Sequence, residues 1–262
     1  MSYEREREII PSLLVSAADA YVRSAPVSSE KKENAVGSFD IVTDADETAQ
    51  QTIVDCLRNS FPGDDIIAEE GMEHELGNGR TWVVDPIDGT LNYSRGNPMF
   101  GTQLALVVDK NPVFAAVYLP VMGEMYVADA AGATLNGRRL PRPVTRPLKE
   151  CIVSTGDFSR KKEYWRDKHQ ELIGAMRDEV ARIRMIGAAC TDFVYLASGR
   201  TDIHLRFVNK PWDFVPGMFI AETAGAYYDR DLFERTRLLV MCTSREISEE
   251  FASRVLSKVD IQ

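Results

Sequence analysis

Three apolar runs, Gly101 to Val108, Val113 to Leu119 and Glu124 to Ala128, follow one another with gaps that leave room for turns and nothing longer. Runs spaced this way pair as an antiparallel meander, because a parallel connection needs a crossover of about a dozen residues or more. A sheet of this kind needs helices to cover it. Ile10, Leu13, Leu14, Ala17 and Tyr21 recur at helical spacing and predict one that ends before Pro26. Ala49, Ile53, Val54 and Leu57 predict a second, opening at Thr43-Asp44 and stopping before Phe61, with Val27 to Ser38 between the two as a polar loop. Ile66 to Ala68 and Thr81 to Val84 add two more strands.

Beyond the basic, Pro-rich stretch Arg138 to Lys149 the pattern changes to alternating elements. Strands are expected at Cys151 to Ser154, Ala181 to Met185, Asp202 to Phe207 and Leu238 to Met241, and helices at Lys161 to Arg177, Ala189 to Ser198, Phe214 to Ala224 and Ser248 to Leu256. The mixture predicts a layered α+β fold. With 262 residues, 44% of them hydrophobic, one substantial core can form, so residues 1–262 are expected to make one unit, with halves of about 1–140 and 150–262.

Acidic residues outnumber basic ones, 40 to 31, for a net charge of -9. Phosphate-backbone binding needs a concentrated basic face, so no nucleic-acid partner is expected. The cysteines Cys56, Cys151, Cys190 and Cys242 form no CxxC pair and read as reduced thiols. The chain opens with charged residues Glu4 to Glu8 and carries no apolar run of spanning length, so the expected setting is cytoplasmic, without a membrane partner.

The chemistry concentrates at Trp82-Val83-Val84-Asp85-Pro86-Ile87-Asp88-Gly89-Thr90, where an apolar strand runs into two carboxylates three residues apart. Crowded carboxylates repel by about 4 kcal/mol per pair at 4 Å and an effective dielectric of 20, unless a proton or cation lies between them. Mg²⁺ accepts oxygen ligands and keeps waters that a phosphate can replace. Gly89 and Thr90 should begin a short helix with free N–H groups for phosphate oxygens. Alternatively, Asp85 and Asp88 are only capping residues. Upstream, Glu69-Glu70 follows an apolar strand, and Thr43 and Asp46 match a capping box; downstream, Asp213 precedes a helix as its N-cap, with Pro216 in the first turn.

In this order, Asp40-Ile-Val-Thr-Asp-Ala-Asp46, Ala68-Glu-Glu-Gly71, Asp85-Pro-Ile-Asp-Gly-Thr90 and Trp212-Asp213 resemble the inositol monophosphatase family. Pro112 to Pro120 and Ala133 to Gly137 look like that family's strand pair and following turn. The resemblance implies a layered α-β-α-β-α sandwich, a homodimer, lithium sensitivity and hydrolysis of a small-molecule phosphate monoester with two or three Mg²⁺ ions per active site. It implies Glu69, Asp85 and the Ile87 carbonyl as ligands of one ion and Asp85, Asp88 and Asp213 as ligands of a second. Thr90, hydrogen-bonded to Asp46, would orient the attacking water, with Glu69 beside it. Asp88, Gly89, Thr90, Gly187, Ala188, Ala189, Arg206 and Asp213 would contact substrate.

Two positions depart from the family pattern. Val36 stands where a Lys is usual, and Arg206 where a Glu that holds ring hydroxyls is usual. A guanidinium cannot accept a hydroxyl's hydrogen and suits a carboxylate or second phosphate; otherwise Arg206 is a surface strand residue. The segment Asp202 to Phe207 also resembles 3′-phosphoadenosine phosphatases, which stand as an alternative together with fructose-1,6-bisphosphate and histidinol-phosphate phosphatases. A non-catalytic binding protein on the same fold is the alternative of another class.

Overall fold

Helix α1 (Glu4–Val22) carries its apolar spacing to the end, and α2 (Asp44–Ser60) opens and stops as predicted. The computed structural model describes residues 3–22, 29–31, 41–72, 75–208 and 210–261. The expected loop Val27 to Ser38 is therefore described only in part, and there the expectation fails: β1 (Ser29–Lys31) is a strand, antiparallel to β2 (Ile41–Thr43). Asp40 and Val36 lie outside the described residues.

The predicted meander is the middle of a seven-stranded sheet. Strands β3 (Asp65–Ala68), β4 (Arg80–Asp88), β5 (Gly101–Val108), β6 (Asn111–Leu119), β7 (Glu124–Asp129), β8 (Gly132–Leu135) and β9 (Arg138–Arg139) lie side by side in chain order. Only β3 and β4 run parallel. Between β4 and β5 the chain makes the short helix α3 (Thr90–Ser94).

The second half alternates, as its pattern predicts: β10 (Ile152–Thr155), α4 (Glu163–Met176), β11 (Arg182–Arg184), α5 (Ala189–Ala197), β12 (Ile203–Phe207) and α6 (Pro211–Ala224). It closes with β13 (Tyr227–Tyr228), α7 (Arg230–Thr236), β14 (Leu238–Cys242) and α8 (Arg245–Arg254). Its strands form a five-stranded sheet in the order β11-β10-β12-β14-β13.

Side-chain alternation assigns the layers. Trp82 and Val84 of β4 face α1 and α2, packing with Ile10, Leu14, Ile53 and Leu57. Val83, Ala105 and Val117 take the opposite face and pack on Phe193 of α5 and Ile220 of α6. Leu239 and Met241 of β14 join that same cluster from the second sheet, while Leu205 and Val240 turn away toward Leu172 of α4 and Phe251 of α8. The order is thus helices, sheet, helices, sheet, helices. Strands covered on both faces read as continuous apolar runs, which is why β4 and β5 lack polar alternation.

The central α5–α6 contact requires a glycine. A Cβ on Gly217 would stand 2.5 Å from the Cβ of Phe193, close to backbone that cannot swing away. Gly217→Ala is therefore expected to destabilise the protein by about 1–3 kcal/mol, which calorimetry would read as a melting temperature lower by several degrees.

Three helix starts differ from expectation, α4 beginning at Glu163 in place of Lys161. Helix α6 begins at Pro211 after Lys210, so Asp213 is its third residue and not its N-cap, and Pro216 lies inside the helix. Pro211 already supplies the fixed φ suited to a first helical position, and Lys210 makes no side-chain cap that a sequence pattern would reveal. Helix α8 starts three residues earlier than predicted, because Ser244 accepts the Ile247 N–H as its N-cap.

Candidate active site

Asp85 shares a face of β4 with Val83, two residues back, and so points toward the α5–α6 layer. It is 1% exposed. The ladder to β5 loses register between Asp85 and Asp88, where Pro86 has no N–H to offer it. Thr102 Oγ1 takes over, donating to the Pro86 carbonyl at 2.8 Å, and Tyr21 Oη lies 2.7 Å from the same hydroxyl. The end of α1 is thereby tied to the turn. Gly89 follows with φ +89°, and a Cβ there would meet Ala188 Cβ at 2.9 Å and the Met99 carbonyl at 3.0 Å. Both the backbone conformation and the close approach demand glycine at this corner.

The carboxylates of Glu69, Asp88 and Asp213 all act on Asp85. Burial raises the Asp85 pKa well above the ordinary carboxylate range, and the charges of these three raise it further. Gln103, fully buried on β5, lies with Nε2 3.5 Å from Asp85 Oδ2 and opposes that rise. Among the described residues, Asp85 Oδ1 and Gln103 Oε1 are buried without a hydrogen-bond partner. Desolvation also raises Asp88, opposed by contacts from Cys190 and by the charge of Arg206.

Thr90 Oγ1 sits between two acceptors, 3.1 Å from Asp46 Oδ1 and 2.9 Å from the Ile87 carbonyl. Asp46, in the first turn of α2, is fully buried, so its carboxylate faces Thr90 in a dry setting. Three of the residues expected at the metal site, Glu69, Asp88 and Asp213, thus lie within electrostatic reach of the fourth, Asp85, with the Ile87 carbonyl and the Thr90–Asp46 pair alongside.

The turn Gly187-Ala188-Ala189 adjoins this cluster, but its amides have another use. The backbone N–H of Cys190 donates to Asp88 Oδ2, and that of Ala189 also acts on Asp88. The first turn of α5 therefore holds a carboxylate of the protein itself. Asn92 fastens the arrangement from α3, donating to the Met99 and Ile186 carbonyls at 2.7 and 2.9 Å. Arg206, half-buried on β12, donates from Nη1 to the Asp213 carbonyl at 3.4 Å. Thr102, Gln103, Cys190 and Asn92 were not foreseen. All four act through side chains or amides whose targets lie far away in sequence, and no local pattern marks such contacts.

Among the described residues, no group of three or more His, Cys, Asp or Glu side chains forms a ready-made metal cluster. The residues nevertheless fit a hard divalent cation: every donor is oxygen, and the buried Asp85 Oδ1 lacks any partner among carboxylates that repel it. The four cysteines are free thiols, as expected. Among the described residues no helix is long and apolar enough to cross a membrane.

Comparison with known proteins agrees with the resemblance read from the motifs. The model of the inositol monophosphatase family matches residues 13–256. A fructose-1,6-bisphosphatase/inositol-1-monophosphatase of Thermotoga maritima is 37% identical over 194 residues, 74% of this chain and 72% of that protein. Nus factor SuhB of Escherichia coli K12 is 36% identical over 191 residues, 72% of this chain and 71% of that one. Among solved structures, a Thermotoga maritima IMPase superposes with a TM-score of 0.82 at 28% identity, covering 97% of this chain and 99% of its own. The extragenic suppressor protein suhB of Bartonella henselae shares the fold, with a TM-score of 0.85 at 24% identity and coverage of 95% and 97%. None of these comparisons supports the expectation that nucleic acid is not a partner. On its family match and on these relatives, the chain belongs to the inositol monophosphatase family.

Proposed function

We propose that this protein is a Mg²⁺-dependent phosphomonoester hydrolase in which water attacks the phosphorus directly. The observation that carries this reading is the buried, partnerless Asp85 Oδ1 under the combined charge of Glu69, Asp88 and Asp213, with a hydrogen-bonded Thr90–Asp46 pair beside it. In this reading Glu69, Asp85 and the Ile87 carbonyl hold one Mg²⁺, Asp85, Asp88 and Asp213 a second, with room in the family pattern for a third. When bound, Mg²⁺ supplies charge neutralisation to the phosphate and lowers the pKa of water.

The residues of the chain do the rest. Asp88, Gly89, Thr90 and Asp213 bound the space where the phosphoester lies, and the amides of the Gly89-Thr90 turn donate to its oxygens. Thr90 Oγ1 accepts a proton from the attacking water while its own proton passes to Asp46 Oδ1, 3.1 Å away. The bond from water oxygen to phosphorus forms as the ester P–O bond breaks, and the departing alkoxide takes a proton from solvent. Cys190, beside Asp88, has no part as a nucleophile: it is fully buried, and burial pushes its thiol well above its ordinary pKa.

The test is phosphate release by the pure protein from a panel of phosphomonoesters, first with Mg²⁺ and then after EDTA. Turnover that disappears with chelation and returns with added Mg²⁺ is the expected result. Failure to hydrolyse any member in Mg²⁺ would favour a non-catalytic binding protein on this fold.

A further inference from the structure

Arg206 differs from two other half-buried arginines, Arg80 and Arg146, in what surrounds its charge. Arg80 pairs with Glu6 and Asp64, and Arg146 with Asp202. Among the described residues Arg206 has no carboxylate at ion-pair distance, and its hydrogen bonding is the single long Nη1 contact to the Asp213 carbonyl. Its Nε is enclosed without an acceptor among the described residues. A guanidinium holds five N–H donors in a planar fork, so most of this one's capacity is unused.

The fold also makes room for the side chain. Its stem lies over Gly156, just past the end of β10, where a Cβ would stand 3.0 Å from Arg206 Cβ and 3.5 Å from Nε. The Gly156 backbone is not left-handed, and its N–H makes an ordinary 3.1 Å hydrogen bond to the Leu205 carbonyl. The close approach of Arg206 is therefore what asks for glycine there. From this seat the guanidinium lies against the carbonyl of Asp213, and its charge reaches Asp88 and the buried Asp192.

We propose that Arg206 reads a second anionic group on the substrate, a phosphate or carboxylate carried beside the scissile phosphate, and that Gly156 is its positioning residue. This deepens the phosphatase reading and rests on it. Substrate hydroxyls offer the fork only neutral acceptors, whereas a phosphate or carboxylate matches both its charge and its planar geometry.

The test uses matched pairs: glycerol 2-phosphate against 2-phosphoglycerate, which differ by a carboxylate, and fructose 1-phosphate against fructose 1,6-bisphosphate, which differ by a phosphate. The wild-type protein is expected to favour the more anionic member of at least one pair by about 10-fold or more in kcat/KM, mainly through KM. The pair that responds names the group. Arg206→Gln should bring that ratio close to one, Arg206→Lys should restore part of it, and Gly156→Ala should lower it.

A wild-type ratio near one in both pairs, or a ratio untouched by Arg206→Gln, would overturn the proposal. So would a loss shared equally by both members, which is what a guanidinium serving only to hold Asp213 predicts. If no compound is hydrolysed, the phosphatase reading fails separately, and the same pairs are compared by the melting-temperature shift each gives in Mg²⁺. A larger shift for the more anionic member that Arg206→Gln abolishes would keep the anion site. Equal shifts would remove it.

Discussion

Replacing Asp85 by Asn is expected to cost on the order of 10³-fold in turnover while raising the melting temperature of protein treated with EDTA. Both effects have one source. The Asp85 carboxylate is buried on β4 with Glu69, Asp88 and Asp213 acting on it, so its charged form is disfavoured and its pKa stands well above the ordinary range. A group whose folded pKa is raised stabilises most at pH values below its unfolded pKa, and that contribution is lost as pH climbs through the folded value. EDTA-treated wild type should therefore lose stability from about pH 4 upward, and Asp85→Asn should flatten that part of the profile. The Asn amide also brings a donor to the place where Asp85 Oδ1 and Gln103 Oε1 are two buried acceptors without partners. Mg²⁺ should reverse the order. A ligand at about 100 times its Kd stabilises by roughly 2.7 kcal/mol, so wild type gains several degrees on adding Mg²⁺ and the variant gains little. Melting curves with and without Mg²⁺, together with steady-state rates, measure all of this. An unchanged Mg²⁺-induced shift, or near-normal turnover, would rule out Asp85 as a metal ligand.

What could be read from the sequence follows from how local each signal is. The turn Asp85-Pro-Ile-Asp-Gly-Thr90 is visible because its chemistry and its geometry lie in one stretch: a strand end, a proline that cannot join the ladder, and a glycine at φ +89°. Helices α1 and α2 and the meander are visible because period and length decide them, whatever they pack against. Helix α7 escaped notice at seven residues, too short to set up a period, although Asp229 caps it by accepting the Leu232 N–H. The start of α6 escaped because Lys210 caps nothing.

The site divides in the same way. Its carboxylates are legible in the ordered motifs, but their support is not. Nothing near Cys190 in sequence announces that its N–H holds Asp88, 102 residues away, or that Thr102 bridges Tyr21 to the Pro86 carbonyl. The resemblance implies that Gly187, Ala188 and Ala189 contact substrate, and it gives no sign that the fold commits the Cys190 and Ala189 amides to one of its own carboxylates.

Thr90 and Asp46 should behave as one unit, and the way their losses combine tests the proposed proton path. Thr90→Ala and Asp46→Asn are each expected to lower kcat by about 10²–10⁴-fold with little change in KM, because neither change removes a group that holds the ester in the ground state. The double variant should be hardly worse than the more damaged single one, since a hydroxyl without its acceptor and an acceptor without its hydroxyl fail at the same step. Thr90→Ser keeps the oxygen and should retain most of the rate. The competing explanation makes Asp46 only a capping residue in the first turn of α2. Asn keeps a side-chain oxygen able to accept there, so Asp46→Asn should change stability by less than about 1 kcal/mol, and a purely capping Asp46 would leave kcat alone. Losses that multiply in the double variant, or that appear in KM in place of kcat, would show that the 3.1 Å contact between Thr90 Oγ1 and Asp46 Oδ1 fixes structure without carrying a proton.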